Sequence, residues 1–173
     1  IAVSSAYWPL IWPSPETAEL TLHQGQLTLP TRTPGTADEW QFADPAAAPE
    51  WQIDTLREAS NTRKVETDLT TGEISLIIQD DFGKVRDCDH GLINGSIARE
   101  VWTIHPDDPL SARGKCHWTD ELEQGDIEFR TEMTCEMLSD LTHFHLRARL
   151  EAYENDVLVR DRDFSDSVPR DQM

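Results

Sequence analysis

Positive charge is scarce in this chain. Its 173 residues carry 15 Lys and Arg against 33 Asp and Glu, a formal net charge of -18. That is the wrong sign for counterion release from a phosphate backbone or for attraction to an anionic bilayer, so the charge argues against nucleic acid and anionic membrane surfaces as partners. Long apolar runs are also missing, and no stretch approaches the roughly 18 residues of a spanning helix. Cysteine is limited to Cys88, Cys116 and Cys135, an odd and widely spaced set. This is no disulfide framework, and the expectation is reduced thiols in a cytoplasmic protein. Catalytic signatures are lacking too. There is no G-x-S-x-G elbow, no phosphate-cradling glycine loop, no C-x-x-C and no H-E-x-x-H. Gly95-Ser96 lacks the trailing glycine of an elbow and leads into a strand. No catalytic residue, cofactor site or metal site is assigned.

What the chain has in abundance is period-two alternation. From Ile127 to Met137 the odd positions are Ile127, Phe129, Thr131, Met133, Cys135 and Met137, set against Glu128, Arg130, Glu132, Thr134 and Glu136. From Thr142 to Ala152 the phase reverses, with Phe144, Leu146, Ala148 and Leu150 opposed to His143, His145, Arg147 and Arg149. Side chains alternate faces along a strand, so each run buries one face and wets the other. The same logic predicts strands over 63–69, 73–79, 97–104, 112–122 and 157–164, linked by short turns. Two prolines in His105-Pro106-Asp107-Asp108-Pro109 are expected to stop pairing there. In the strand that follows, Gly114, Cys116 and Trp118 share one face, and Arg113, Lys115 and His117 the other. No window prefers a helical period. The expected fold is all-β: an antiparallel meander forming a curved sheet, small barrel or sandwich.

Three segments follow from composition. Residues 1–30 contain the aromatic–proline run Tyr7-Trp8-Pro9-Leu10-Ile11-Trp12-Pro13 and a hairpin-like stretch, Leu20 to Pro30. Two short strands do not stand alone in water, so this part reads as the terminal strands of an incomplete domain. Residues 31–50 are rich in turn formers and read as a linker, anchored by Trp40, Phe42 and Trp51. Residues 51–173 form the antiparallel β domain.

Two polar groupings are candidates for chemistry. His143 and His145 lie two apart on one strand face, half of a metal site that His117 would complete, although Arg147 and Arg149 beside them repel a cation. His105, Asp107, Asp108, Ser111 and Arg113 gather in nine residues, where turn formation and an Arg113 pair with Asp107 or Asp108 are the first reading and a contact loop toward a partner domain or subunit the second. A second expectation is a self-contained barrel whose polar strand face (Arg113, His117, Arg130, His143, His145, Arg147, Arg149) holds an anionic small molecule or sugar.

The run from Ile1 to Glu16, followed by Leu20-Thr21-Leu22, resembles the last strands of the C-terminal jelly roll of X-Pro dipeptidyl-peptidase (peptidase S15) and cocaine-esterase-like (CocE/NonD) hydrolases. Further segments are similar to an extra carboxy-terminal extension in a bacterial subset of these enzymes. They are Thr62-Arg63-Lys64-Val65, Thr71-Gly72-Glu73, Asp80-Asp81-Phe82-Gly83, Ala98 to Ile104, His105 to Arg113, Cys116-His117-Trp118-Thr119 and Pro169-Arg170-Asp171. The resemblance implies a non-catalytic accessory or packing domain of a serine hydrolase acting on esters or X-Pro peptide bonds. Its partners would be the parent's catalytic and jelly-roll domains, with open strand edges also allowing self-association. None of the family's Ser, His and Asp triad residues has a matching position here.

Overall fold

The structure is a computed structural model, and it describes residues 19, 21–35, 38–39 and 41–170. The chain divides into a unit of residues 18–51 and a second unit containing 52–173. In the first, the described residues contain no strand. The hairpin expected over Leu20 to Pro30 is therefore not formed at residues 21–30, which make no ladder with each other. A local turn is present: the Gly35 N–H donates to Asp38 Oδ2 at 2.8 Å, and Arg32 pairs with Asp38 at 2.5 Å. Phe42 is 87% exposed, so the anchoring role expected of it is not seen. Trp40 and residues 1–18, including the aromatic–proline run, lie outside the described residues.

The second unit is all-β, as the alternation predicts. Its eight strands are β1 (Ile53–Arg57), β2 (Ser60–Thr67), β3 (Ile74–Asp87), β4 (Ile93–His105), β5 (Asp108–Gln124), β6 (Ile127–Ser139), β7 (His143–Glu154) and β8 (Val157–Pro169). They form one antiparallel sheet in the order β1-β3-β4-β5-β6-β7-β8, with β2 also paired to β3. β8 does not pair back to β1 or β2, so the sheet is open and encloses no lumen.

The turns follow local chemistry. Asp68 and Asp87 each accept from N–H groups two and three residues on, and each backbone carbonyl accepts from Gly72 or Gly91 four residues on. Those glycines have φ of 81° and 73°, a conformation costly for residues bearing a Cβ. Between β7 and β8, Asn155 and Asp156 have φ of 47° and 63°, matching the primed turn that suits strand twist.

Two features depart from the expected strand limits. β3 continues past Gln79 through an irregularity between Asp81 and Lys84. There Gly83 has φ 85°, and a Cβ on it would stand 2.9 Å from the Arg57 carbonyl oxygen. The irregularity divides the neighbouring row, so β2 pairs with Ile74 to Asp81 and β1 with Lys84 to Asp87. The proline segment is not a long loop either. β4 and β5 meet in a tight hairpin with His105 opposite Asp108, and Pro109 lies within β5. Pairing survives because Pro109 to Ala112 have no register partner on β4, so the missing proline N–H costs no ladder bond there.

Register places one set of side chains on each face. One row runs Leu76–Trp102–Gly114–Met137–Leu146–Asp166, and another runs Asp80–Ala98–Trp118–Met133–Leu150–Arg162. This face is mainly apolar, with Phe82 stacked on Trp118 at 6.0 Å between ring centroids. The other face carries most of the charge, with Ile77, Ile97, Val101 and Leu138 set among the charged side chains. The only hydrophobic residues buried among the described positions are Ala98 and Ala112, and no large side chain is fully buried.

Gly114 is where the apolar face is tightest. The Trp102 indole lies across it, so that an added Cβ would meet ring carbons at 2.6 and 2.9 Å. Substitution Gly114→Ala should displace the ring and destabilise the sheet by about 1–3 kcal/mol, the usual cost of overpacking. Urea unfolding followed by tryptophan fluorescence measures it; an unchanged midpoint would show that the ring does not rest there.

Candidate functional site

The polar face is spent on ion pairs between strands. Glu121 accepts from Arg57 at 2.7 Å and from Lys84 at 3.1 Å, Lys84 also pairs with Glu123, and Arg57 reaches Asp81 at 2.9 Å. Burial alone would raise the Glu121 carboxyl; hydrogen bonds from the two cations hold it below its ordinary value instead. Farther along, Arg130 pairs with Glu132 and lies over the Tyr153 ring at 4.1 Å, while Arg149 pairs with Asp161 at 2.9 Å. The hydrogen bonds that Arg149 donates to Asp161 raise its guanidinium above the ordinary value. Because the sheet is open, these groups line a face and not a lumen.

The three candidate histidines do not converge. His117 pairs with Glu132 at 2.9 Å. It is in register with Thr134 and Arg149, four residues from His145, a separation of about 13 Å along the strand. His143 and His145 stack at 6.3 Å, but His143 Nδ1 is 2.8 Å from Thr142 Oγ1 and His145 Nε2 is 2.8 Å from Asp140 Oδ2. Among the described residues no group of three or more His, Cys, Asp or Glu is arranged to hold a metal ion.

His105 to Arg113 close a hairpin. Ser111 Oγ donates to the Asp108 carbonyl at 2.6 Å and accepts from the His105 N–H at 2.7 Å. The Asp107 N–H donates to His105 Nδ1 at 3.2 Å. Arg113 does not pair with Asp107 or Asp108. Its guanidinium makes a two-pronged bond to Glu73, at 2.6 and 3.0 Å, across the β2–β3 turn. The expected partner was sequence-local; the actual one is brought close because β3 and β5 flank β4. The Ser111 hydroxyl, the His105 ring and, through the Leu110 N–H, the Asp108 carboxylate are occupied in closing the turn.

Asp140 is a centre that alternation did not reveal. Its Oδ1 accepts from the Thr142 and His143 N–H groups at 2.7 and 2.8 Å, and Oδ2 faces His145. The Arg170 guanidinium donates to the Asp140 carbonyl at 3.0 Å and to Ser139 Oγ at 3.2 Å. Arg170 is only 7% exposed and lies over the Phe144 ring at 4.9 Å. An Asp followed by Thr two residues on signals such a turn in sequence.

The apolar face holds a hollow of about 410 Å³, lined by Trp102, Gly114, Cys116, Cys135, Met137, Leu146, Ala148 and Phe164 with a polar rim. Its rim carries Glu136, Arg147, Ser165 and Asp166. Its lining suits an apolar side chain more than a reacting group.

No family model, no curated protein and no solved structure matches the chain.

The backbone N–H groups hold the Asp140 carboxyl well below the ordinary carboxylate range, joined by His145. A depressed folded-state pKa contributes stability that is complete above the unfolded value of about 4 and fades as pH falls below it. Substitution Asp140→Asn should lower the melting temperature at pH 7, and the gap to wild type should narrow steadily below about pH 4. Thermal melts across pH measure both; a gap independent of pH would assign the effect to shape alone.

Proposed function

We propose that this chain is a non-catalytic sheet module that packs its apolar face on the remainder of a CocE/NonD-like or S15-like serine hydrolase. One observation carries the reading. A single sheet presents a continuous apolar face on which large side chains stay open to solvent: Phe82 at 58%, Leu122 and Phe129 at 44%, Phe164 at 43%, Met133 at 39% and Leu146 at 37%. Among the described residues no second layer of regular structure covers this face. A sheet normally buries such a face against another layer. Large uncovered apolar patches mark contact surfaces.

The polar groups support the same reading from the other side. His117, His145, Asp108 and Ser111 are each committed to a turn or to an ion pair. The parent's hydrolysis of ester or X-Pro peptide bonds would then rest on residues of its catalytic domain. The resemblance of residues 1–16 to the end of a jelly roll supplies the parent's identity, and a bacterial, cytoplasmic setting belongs to the same reading. The barrel reading has less support, because an open sheet leaves its polar residues no enclosed cavity.

The decisive experiment is an immunoblot of source cells with an antibody raised to this chain, alongside fluorophosphonate labelling of the purified chain. The expected results are a band several times larger than 19.7 kDa and no labelling. A directly translated product of 19.7 kDa, or a labelled serine that hydrolyses an activated ester, would overturn the proposal.

A further inference from the structure

The register of the central strands brings two of the three cysteines face to face. Cys116 of β5 is the direct partner of Cys135 of β6, on the apolar face. Directly opposed residues of an antiparallel pair stand about 4.5–5.5 Å apart at Cα, inside the roughly 4.4–6.8 Å that a disulfide spans. Both thiols are free, both are half-buried, and both line the hollow beside Trp102, Met137 and Leu146. Glu100 of β4 is the register partner of Cys116 on its other side. Cys88 lies apart and exposed, just beyond the end of β3.

We propose that Cys116 and Cys135 are a reversible dithiol–disulfide couple, closed by a small-molecule disulfide oxidant of the glutathione type. The chemistry balances in two exchanges. The Cys135 thiolate attacks one sulfur of oxidised glutathione, breaks its S–S bond and releases the first glutathione thiolate. The Cys116 thiolate then attacks Cys135 Sγ in the mixed disulfide and releases the second. Two protons and two electrons pass from the protein to the oxidant, which leaves as two reduced molecules. Cys135 acts first because Cys116 has the carboxylate of Glu100 for its neighbour; burial first, then that charge, pushes the Cys116 thiol up. The second exchange is intramolecular between groups already opposed, so it outruns capture by another molecule. In a reducing compartment the bond is transient, a property of sensing rather than structural cysteine pairs. This inference goes beyond the packing role and does not depend on it.

The test treats the native chain with oxidised glutathione, blocks free thiols in acid, and maps tryptic peptides by mass spectrometry. The expected product has lost the mass of two hydrogens and joins peptide 116–130 to peptide 131–147, in about tenfold or greater excess over any peptide linked through Cys88. In Cys116→Ser, glutathione should remain attached at Cys135. The wild-type result needs no variant to fold. Separate glutathione adducts on Cys116 and Cys135, a dominant link to Cys88, or no reaction at either thiol under conditions that modify Cys88 would each overturn the proposal.

Discussion

Strict two-residue alternation within one layer is the constraint on which this protein depends. A slip of one residue between neighbouring strands would move a strand's apolar row to the charged face. The sheet resists such a slip through cross-strand pairs that only one register satisfies. Glu121 must meet both Arg57 and Lys84, Glu73 must meet Arg113, and Arg149 must meet Asp161. Exposed ion pairs each contribute about 0–1 kcal/mol, so their value lies less in net stability than in discriminating between registers. The turns reinforce them. The Asn155 side chain accepts from the Glu128 N–H, and its own N–H donates to the Glu128 carbonyl, both at 2.9 Å, tying the β7–β8 turn to the start of β6.

With register settled, the apolar face follows, and with it the functional reading. A Leu, Phe or Met side chain gains about 1.5–3 kcal/mol when fully removed from water. Several on this face stand roughly two-fifths exposed, so much of that gain is unrealised within the described residues. A partner surface that covered them would recover it. The Trp102–Gly114 contact shows how the face is shaped: the indole lies flat on the strand beside it, and its Nε1 donates to Glu100 at 2.9 Å, leaving the neighbouring hollow dominated by apolar atoms.

The faces of β5, β6 and β7 were legible residue by residue, because each strand there is long and its alternation unbroken. β1 was missed. Five residues in which Ile53 and Leu56 fall on opposite faces carry no period-two signal, and only pairing with Lys84 to Asp87 makes a strand of them. Pro109 misled for the reverse reason, since a local rule about N–H donors says nothing of whether a ladder partner exists at that position. The Arg113–Glu73 and Arg57–Glu121 pairs were unreadable because they depend on strand order. The Cys116–Cys135 opposition was partly legible: alternation put both thiols on one face, but only the β5–β6 register made them neighbours.

The central claim is that a natively folded chain presents an apolar sheet face to solvent. Binding of 8-anilinonaphthalene-1-sulfonate to the purified chain tests it most directly, with near-UV circular dichroism confirming fixed tertiary packing in the same sample. The account predicts strong dye fluorescence from a cooperatively folded protein, and a large loss of that fluorescence when Met133 and Phe164 are replaced by Glu. A folded chain that does not bind the dye, or dye binding indifferent to those two substitutions, would contradict it.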